Sequence, residues 1–123
     1  MIKIESLPQL FSVCKVTDYN GIDLEQPFIF TGSTDEEKSL ICPMELVPMN
    51  TTSRNDGWRA LRICGELDFS LIGILAGISQ ILATNQIGII AISTFNTDYI
   101  LVKAEDYSKA VENLSAAGYQ IQE

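Results

Sequence analysis

Through the second half of the chain the spacing of apolar side chains changes period repeatedly, and no other feature limits the fold as tightly. Leu71, Ile74, Leu75, Ile78, Ile81 and Leu82 recur at three- and four-residue intervals, which puts them on one face of a helix. Asp68 or Ser70 stands where its N-cap belongs, and the stripe predicts about four turns at 3.6 residues per turn. Residues 87–94 (IGIIAIST) then form a nearly unbroken β-branched run, suited to a strand covered on both faces or at a subunit contact. Phe95-Asn-Thr-Asp98 reads as a turn and residues 99–102 as the returning strand of a hairpin. Tyr107, Ala110, Val111, Leu114 and Ala117 make a second helical stripe, opened by Asp106 and closed by Gly118. With strands predicted over 58–64 and 119–122, the order is β-α-β-β-α-β. That order belongs to an α+β, ferredoxin-like arrangement: a four-stranded antiparallel sheet carrying both helices on one face.

The first half repeats part of the plan. Residues 10–16 (LFSVCKV) read as a strand, and 28–31 with 40–42 as a hairpin around the polar turn 32–37. A first helix is missing, because residues 17–27 carry Asn20-Gly21 and Pro27 with no apolar stripe. Residues 43–47 fit a brief helix, and the Thr-, Ser-, Asn- and Asp-rich segment 48–57 fits a connector. Two units follow: a degenerate one with its connector over 1–57, and a complete one over 58–123.

Composition narrows the function. The 123 residues are 46% apolar and 20% charged, enough to bury a core, and the net charge of -8 opposes nucleic acid and anionic membranes as partners. The apolar segment 71–83 is too short for the ~30 Å hydrocarbon layer and is interrupted by Gly73, Gly77, Ser79 and Gln80, so no membrane span is expected. There is no histidine, which removes the usual proton shuttle and the commonest zinc ligand; no metal or cofactor is expected. Cys14, Cys42 and Cys64 are odd in number, widely spaced and set in apolar stretches, which predicts buried, reduced thiols. With an N-terminus unlike a signal peptide, this predicts a cytoplasmic protein. Nucleophilic catalysis lacks its parts, since Ser70 has no histidine to activate it and the thiols lie away from any base, so no catalytic residue is assigned.

Residues 65–74 (GELDFSLIGI) and 92–102 (ISTFNTDYILV), set on this strand order, resemble the ACT domain. More narrowly, the chain resembles the small tandem ACT-domain proteins of bacteria, related to the ACT units of CASTOR-type arginine sensors and aspartate kinases. The resemblance is strong over 58–121 and weaker over 10–47. It implies two ACT-like units, the first degenerate, and a free amino acid bound at the interface between paired units. There the loop from the first strand into the first helix faces the second strand of a neighbour. By motif, the ligand-binding residues implied are Asp68, Phe69, Ser70, Leu71, Gly73 and Ile74, then Ser93, Thr94, Phe95, Asn96 and Asp98. With no catalytic domain, such a pair is expected to act as a regulatory or sensor protein and a homodimer, which either signals by binding a further protein partner or stores or reports the ligand.

The chemistry is coherent. Unpaired amides and the dipole at a helix start suit a carboxylate, a glycine lets a ligand approach, and Asp68 or Asp98 accepts from an ammonium. Ser70, Ser93 and Thr94 hydroxyls fill the remaining valences. Each residue also has a structural role to weigh: Asp68 or Ser70 as a cap worth about 1 kcal/mol, Gly73 and Gly77 as a close-packing pair, and Asp98 as turn chemistry. Trp58 suits a core or inter-unit plug, and 35–37 a solvated acidic loop. The alternative function is a structural dimerisation module without a ligand.

Overall fold

The computed structural model describes residues 2–64 and 73–123. Its compact units are Gln9–Trp58 and the pair of segments Met1–Pro8 with Arg59–Glu123. Strands β1 (Lys3–Val16) and β4 (Thr51–Ile63) each contribute residues to both units.

In the Gln9–Trp58 unit the strand order is β2 (Phe30–Ser33), β3 (Lys38–Pro43), β1, β4, and β1 pairs antiparallel with β3, Phe11 opposite Pro43 and Cys14 opposite Leu40. The hairpin register sets Ser33 opposite Lys38, so the turn is Thr34 to Glu37, tighter than 32–37. Residues 17–27 hold turns and no helix, as the glycine and proline predict. A single 3-10 turn, Met44–Leu46, stands where a brief helix was expected. Cys14, Val16, Ile22, Leu40 and Cys42 form the core. Phe28 takes a left-handed φ of 65° and meets Phe11 edge to face at 6.3 Å.

Residues 48–57 are not a linker, because a strand starts at Thr51. The reason is exposure: Thr52 to Asp56 are solvated on both faces at the edge of this unit's sheet, so their composition is that of a loop while their backbone pairs with β1. Trp58, buried at the end of this stretch, donates from its indole N–H to Asn55 Oδ1 at 3.3 Å.

In the other unit β5 (Ile89–Ser93) and β6 (Asp98–Lys103) form the hairpin, β6 neighbours β4, β4 neighbours β1, and β7 (Gln120–Gln122) pairs with β1 in parallel. The expected four-stranded unit thus has the segment 3–8 inserted between β4 and β7. The strand expected over 10–16 therefore starts earlier, at Lys3, with Ile4, Ser6 and Leu7 buried. Helix α1 is Ile74–Thr84 and α2 is Tyr107–Ala116. Ile78, Leu82, Ala110 and Leu114 on the helices close over Ile4, Leu61, Ile63, Ile100 and Val102 on the strands. Helix α2 ends as read, with Gly118 at φ 102° and Tyr119 N–H donating to Leu114 O at 3.1 Å. Its Asp106 makes no side-chain cap.

Helix α1 departs from its prediction at the start. Its N-cap position is Gly73, at φ 88°, and the helix begins at Ile74; the expected caps Asp68 and Ser70, and Leu71 of the apolar stripe, lie outside the described residues. Gly73 and Gly77 are not a matched packing pair: a Cβ on Gly77 would sit 3.4 Å from the Tyr119 hydroxyl, whereas one on Gly73 would meet nothing within 4 Å. Backbone conformation, not close approach, requires glycine at 73. In β5, Ile89, Ile90 and Ile92 are half-buried and Ala91 and Ser93 exposed, so the described residues do not cover the strand on both faces.

The two units carry an internal repeat at a separation of 60 residues. Ser33 and Ser93 end the first hairpin strands, Lys38 and Asp98 begin six-residue second strands, and Met44 and Ala104 begin 3-10 turns. After the second turn the chain makes α2; after the first it goes directly to β4, without a helix.

Candidate functional site

Two places in the Met1–Pro8 and Arg59–Glu123 unit concentrate polar groups. One is the β5–β6 hairpin turn. Thr94 N–H and Oγ1 both donate to Thr97 O, at 2.9 and 2.8 Å, and Thr97 N–H returns to Thr94 Oγ1 at 3.4 Å. Thr97 Oγ1 in turn donates to Ile63 O at 2.6 Å, inside the protein. A hydroxyl from the turn thereby grips the end of β4, the point from which residues 65–72 lead to Gly73 and α1.

Of the residues nominated for a ligand, Asp68, Phe69, Ser70 and Leu71 lie outside the described residues. Gly73 is exposed at the start of α1, where its carbonyl accepts from Gly77 N–H at 2.8 Å. Ile74 is turned toward the core rather than outward. Ser93, Thr94, Phe95 and Asn96 are exposed on the turn, with Phe95 84% accessible. Asp98 is not in the turn: it opens β6, half-buried and opposite Ser93. Thr97 was missing from the sequence-based set. Its signal was the Thr-x-x-Thr spacing, a side chain bonding to backbone at short range.

The second place is a cleft of about 450 Å³ lined by Glu5, Ser6, Pro8, Arg59, Tyr107 and Glu123. Ile4 and Ser6 on β1, and Arg59, Leu61 and Ile63 on β4, alternate onto the helix-covered face, so this face turns polar at the level where α2 begins. The Arg59 guanidinium lies over the Tyr107 ring, 4.0 Å from its centroid, an arrangement worth about 0.5–1 kcal/mol at a partly exposed site. Arg59 Nη2 donates to Ser6 Oγ at 3.0 Å and to Leu7 O at 3.3 Å. The Tyr107 hydroxyl lies 2.7 Å from Ser6 Oγ and donates to Glu123 Oε1 at 2.6 Å. A polarised chain therefore runs from Arg59 through Ser6 and Tyr107 to Glu123. Burial, then the bond to Glu123, pushes the Tyr107 phenol above its ordinary range. Arg59 Nε is buried with no acceptor among the described residues, an arrangement that costs roughly 1–3 kcal/mol for a donor of this kind.

The Gln9–Trp58 unit has a third hollow, of about 520 Å³, lined by Asp18, Asn20, Gly21, Met49 and Asn50. Asn50 Nδ2 fills its surroundings by donating to Thr17 Oγ1, Asp18 O and Asp18 Oδ1. Among the described residues no group of three or more Cys, Asp or Glu is arranged to hold a metal ion, and no helix is long and apolar enough to cross a membrane. Cys14, Cys42 and Cys64 are free thiols, the first two buried and the third half-buried. Burial, then the neighbouring Cys14, pushes the Cys42 thiol up to about 12.

Comparison with known proteins gives this geometry a family. The ACT domain model matches residues 53–116, just over half of the chain. No curated protein matches it. Among solved structures, a protein from Agrobacterium tumefaciens is 28% identical with a TM-score of 0.85, over 98% of this chain and 91% of that one. The aspartate kinase of Clostridium acetobutylicum, an allosteric enzyme, is 15% identical with a TM-score of 0.68, the match covering 93% of this chain and 34% of the enzyme. The ligand-free regulatory subunit of the Thermus thermophilus aspartate kinase is 11% identical with a TM-score of 0.63, over 94% of this chain and 96% of that one. With the βαββαβ order, the repeat at 60 residues and the matched segment in agreement, the chain belongs to the ACT domain family.

Proposed function

We propose that this protein is a regulatory or sensor module, not an enzyme, that binds a free amino acid between residues 68–74 and the β5–β6 turn. The carrying observation is the hydrogen bond from Thr97 to Ile63, which holds that turn beside the end of β4. In this reading Asp68, Phe69, Ser70, Leu71, Gly73 and Ile74 border the ligand from the loop side, and Ser93 to Asn96 with Asp98 from the hairpin side. Exposed backbone amides near Gly73 receive the carboxylate, and Asp68 or Asp98 the ammonium. Regulatory aspartate kinase subunits among the structural relatives support the regulatory role.

The module acts as a homodimer in the cytoplasm and passes its state to a further protein. Support for pairing comes from β5, an edge strand whose Ile89, Ile90 and Ile92 stay half-buried beside an exposed Phe95. A thermal-shift screen of the twenty amino acids tests the reading. A ligand at a hundred times its dissociation constant adds about 2.7 kcal/mol to folding stability, so at least one amino acid raises the Tm. A flat response to all twenty contradicts the sensor reading and leaves a pairing module without a ligand.

A further inference from the structure

We propose that the cleft between Ser6, Arg59, Tyr107 and Glu123 is a second ligand site, one that takes a small zwitterion with its carboxylate on Arg59 and its ammonium on Glu123. The three arginines of the chain make the case by contrast. Arg54 Nε donates to Asp56 Oδ1 at 3.0 Å and Arg62 Nε to Glu5 Oε1 at 3.1 Å. Arg59 Nε is buried and has no acceptor among the described residues, and its Nη2 bonds go to a hydroxyl and a carbonyl. With both Nη2 protons already donated, a carboxylate in the cleft takes a single charge-assisted bond from the Arg59 guanidinium that lines it.

Glu123 narrows the class of ligand. Its carboxylate stands across the Ser6 and Tyr107 hydroxyls from Arg59, so the cation and anion of the cleft are held apart by neutral groups. A polyanion meets repulsion from Glu123 and Glu5 at the rim, and a simple anion leaves Glu123 without a cation. A molecule carrying both charges uses both ends. Pro8 and the Tyr107 ring supply an apolar wall for whatever lies between them. The site does not depend on the loop and hairpin reading. Arg59 is four residues from Ile63 along β4, about 13 Å at ~3.3 Å per residue.

Proton–nitrogen NMR of the arginine Nε–H groups tests the proposal, with the twenty L-amino acids added one by one at millimolar concentration. The expected result is a saturable shift of the Arg59 signal with at least one of them, weakened about tenfold when the same amino acid is N-acetylated and about tenfold when it is amidated. Glu123→Gln, at an exposed position, lowers the affinity by a similar factor, and Arg59→Lys abolishes the ligand-induced shifts of the backbone amides at Ser6 and Tyr107 while the rest of the spectrum stays native. An Arg59 signal that ignores all twenty overturns the proposal, as does one that responds equally to the acetylated form or to Glu123→Gln. Because the readout is the Arg59 side chain, failure here leaves the loop and hairpin site standing, and a thermal shift that survives Arg59→Lys reports on that other site alone.

Discussion

Thr97 Oγ1 donates to Ile63 O across 34 positions of sequence, 2.6 Å away and inside the protein, so a hairpin turn is fastened to the end of a strand that is not its own partner in the hairpin. The same threonine closes the turn through Thr94. One side chain thus sets the height of the turn relative to the end of β4.

Thr97→Val keeps the shape and deletes the donor. Losing one buried hydrogen bond while stranding its acceptor costs about 1–3 kcal/mol. Urea denaturation should show a loss in that range. If the proposed function is correct, the amino-acid-induced rise in Tm shrinks in the same variant, because the turn is no longer held. Unchanged stability would remove Thr97 from its role.

Gly73 and Gly77 look alike in sequence and should respond in opposite directions to alanine. At Gly73 the left-handed φ of 88° makes any L side chain costly by about 1–2 kcal/mol, although a Cβ would touch nothing. At Gly77, inside α1 with the nearest contact at 3.4 Å, alanine restores up to about 1 kcal/mol of helix propensity. Thermal unfolding of the two variants should therefore move apart. A loss at both positions would mean that they pack as a pair after all.

Alkaline pH probes the core of the Gln9–Trp58 unit. The Cys42 thiol titrates at about 12 against an ordinary value of 9.0, with burial the main cause and Cys14 the next. The unfolded chain sheds this proton near 9 and the folded chain holds it. The contribution is therefore complete below pH 9 and is lost as pH rises from 9 toward 12, at no more than about 1.4 kcal/mol per pH unit. Denaturant midpoints measured across that window should fall more steeply for the wild type than for Cys42→Ala. Parallel curves would contradict the assignment.

How legible these features were in the sequence depended on whether their cause was local. The stripe through Ala110 and Leu114, and the turn signal at 95–98, report burial and turn chemistry within a few residues, and the structure carries them nearly as read, the turn one residue earlier. Periodicity registers which side chains are apolar and not the positive φ at Gly73, the N-cap position of α1. Residues 52–56 passed for a linker because a strand solvated on both faces has the composition of one. The Arg59 cleft was out of reach for a different reason. Its hydrogen bonds join partners 53 and 101 positions apart, and polar residues at those positions are unremarkable until β1, β4 and α2 bring them together.

The most direct measurement is a crystal structure grown with the amino acid that gives the largest thermal shift. The account predicts a bound molecule with its carboxylate beside the backbone amides near Gly73 and its ammonium within hydrogen-bond reach of Asp68 or Asp98, next to the Thr94 to Thr97 turn. Protein side chains filling that space while the amino acid sits elsewhere on the chain, or does not bind, would contradict it.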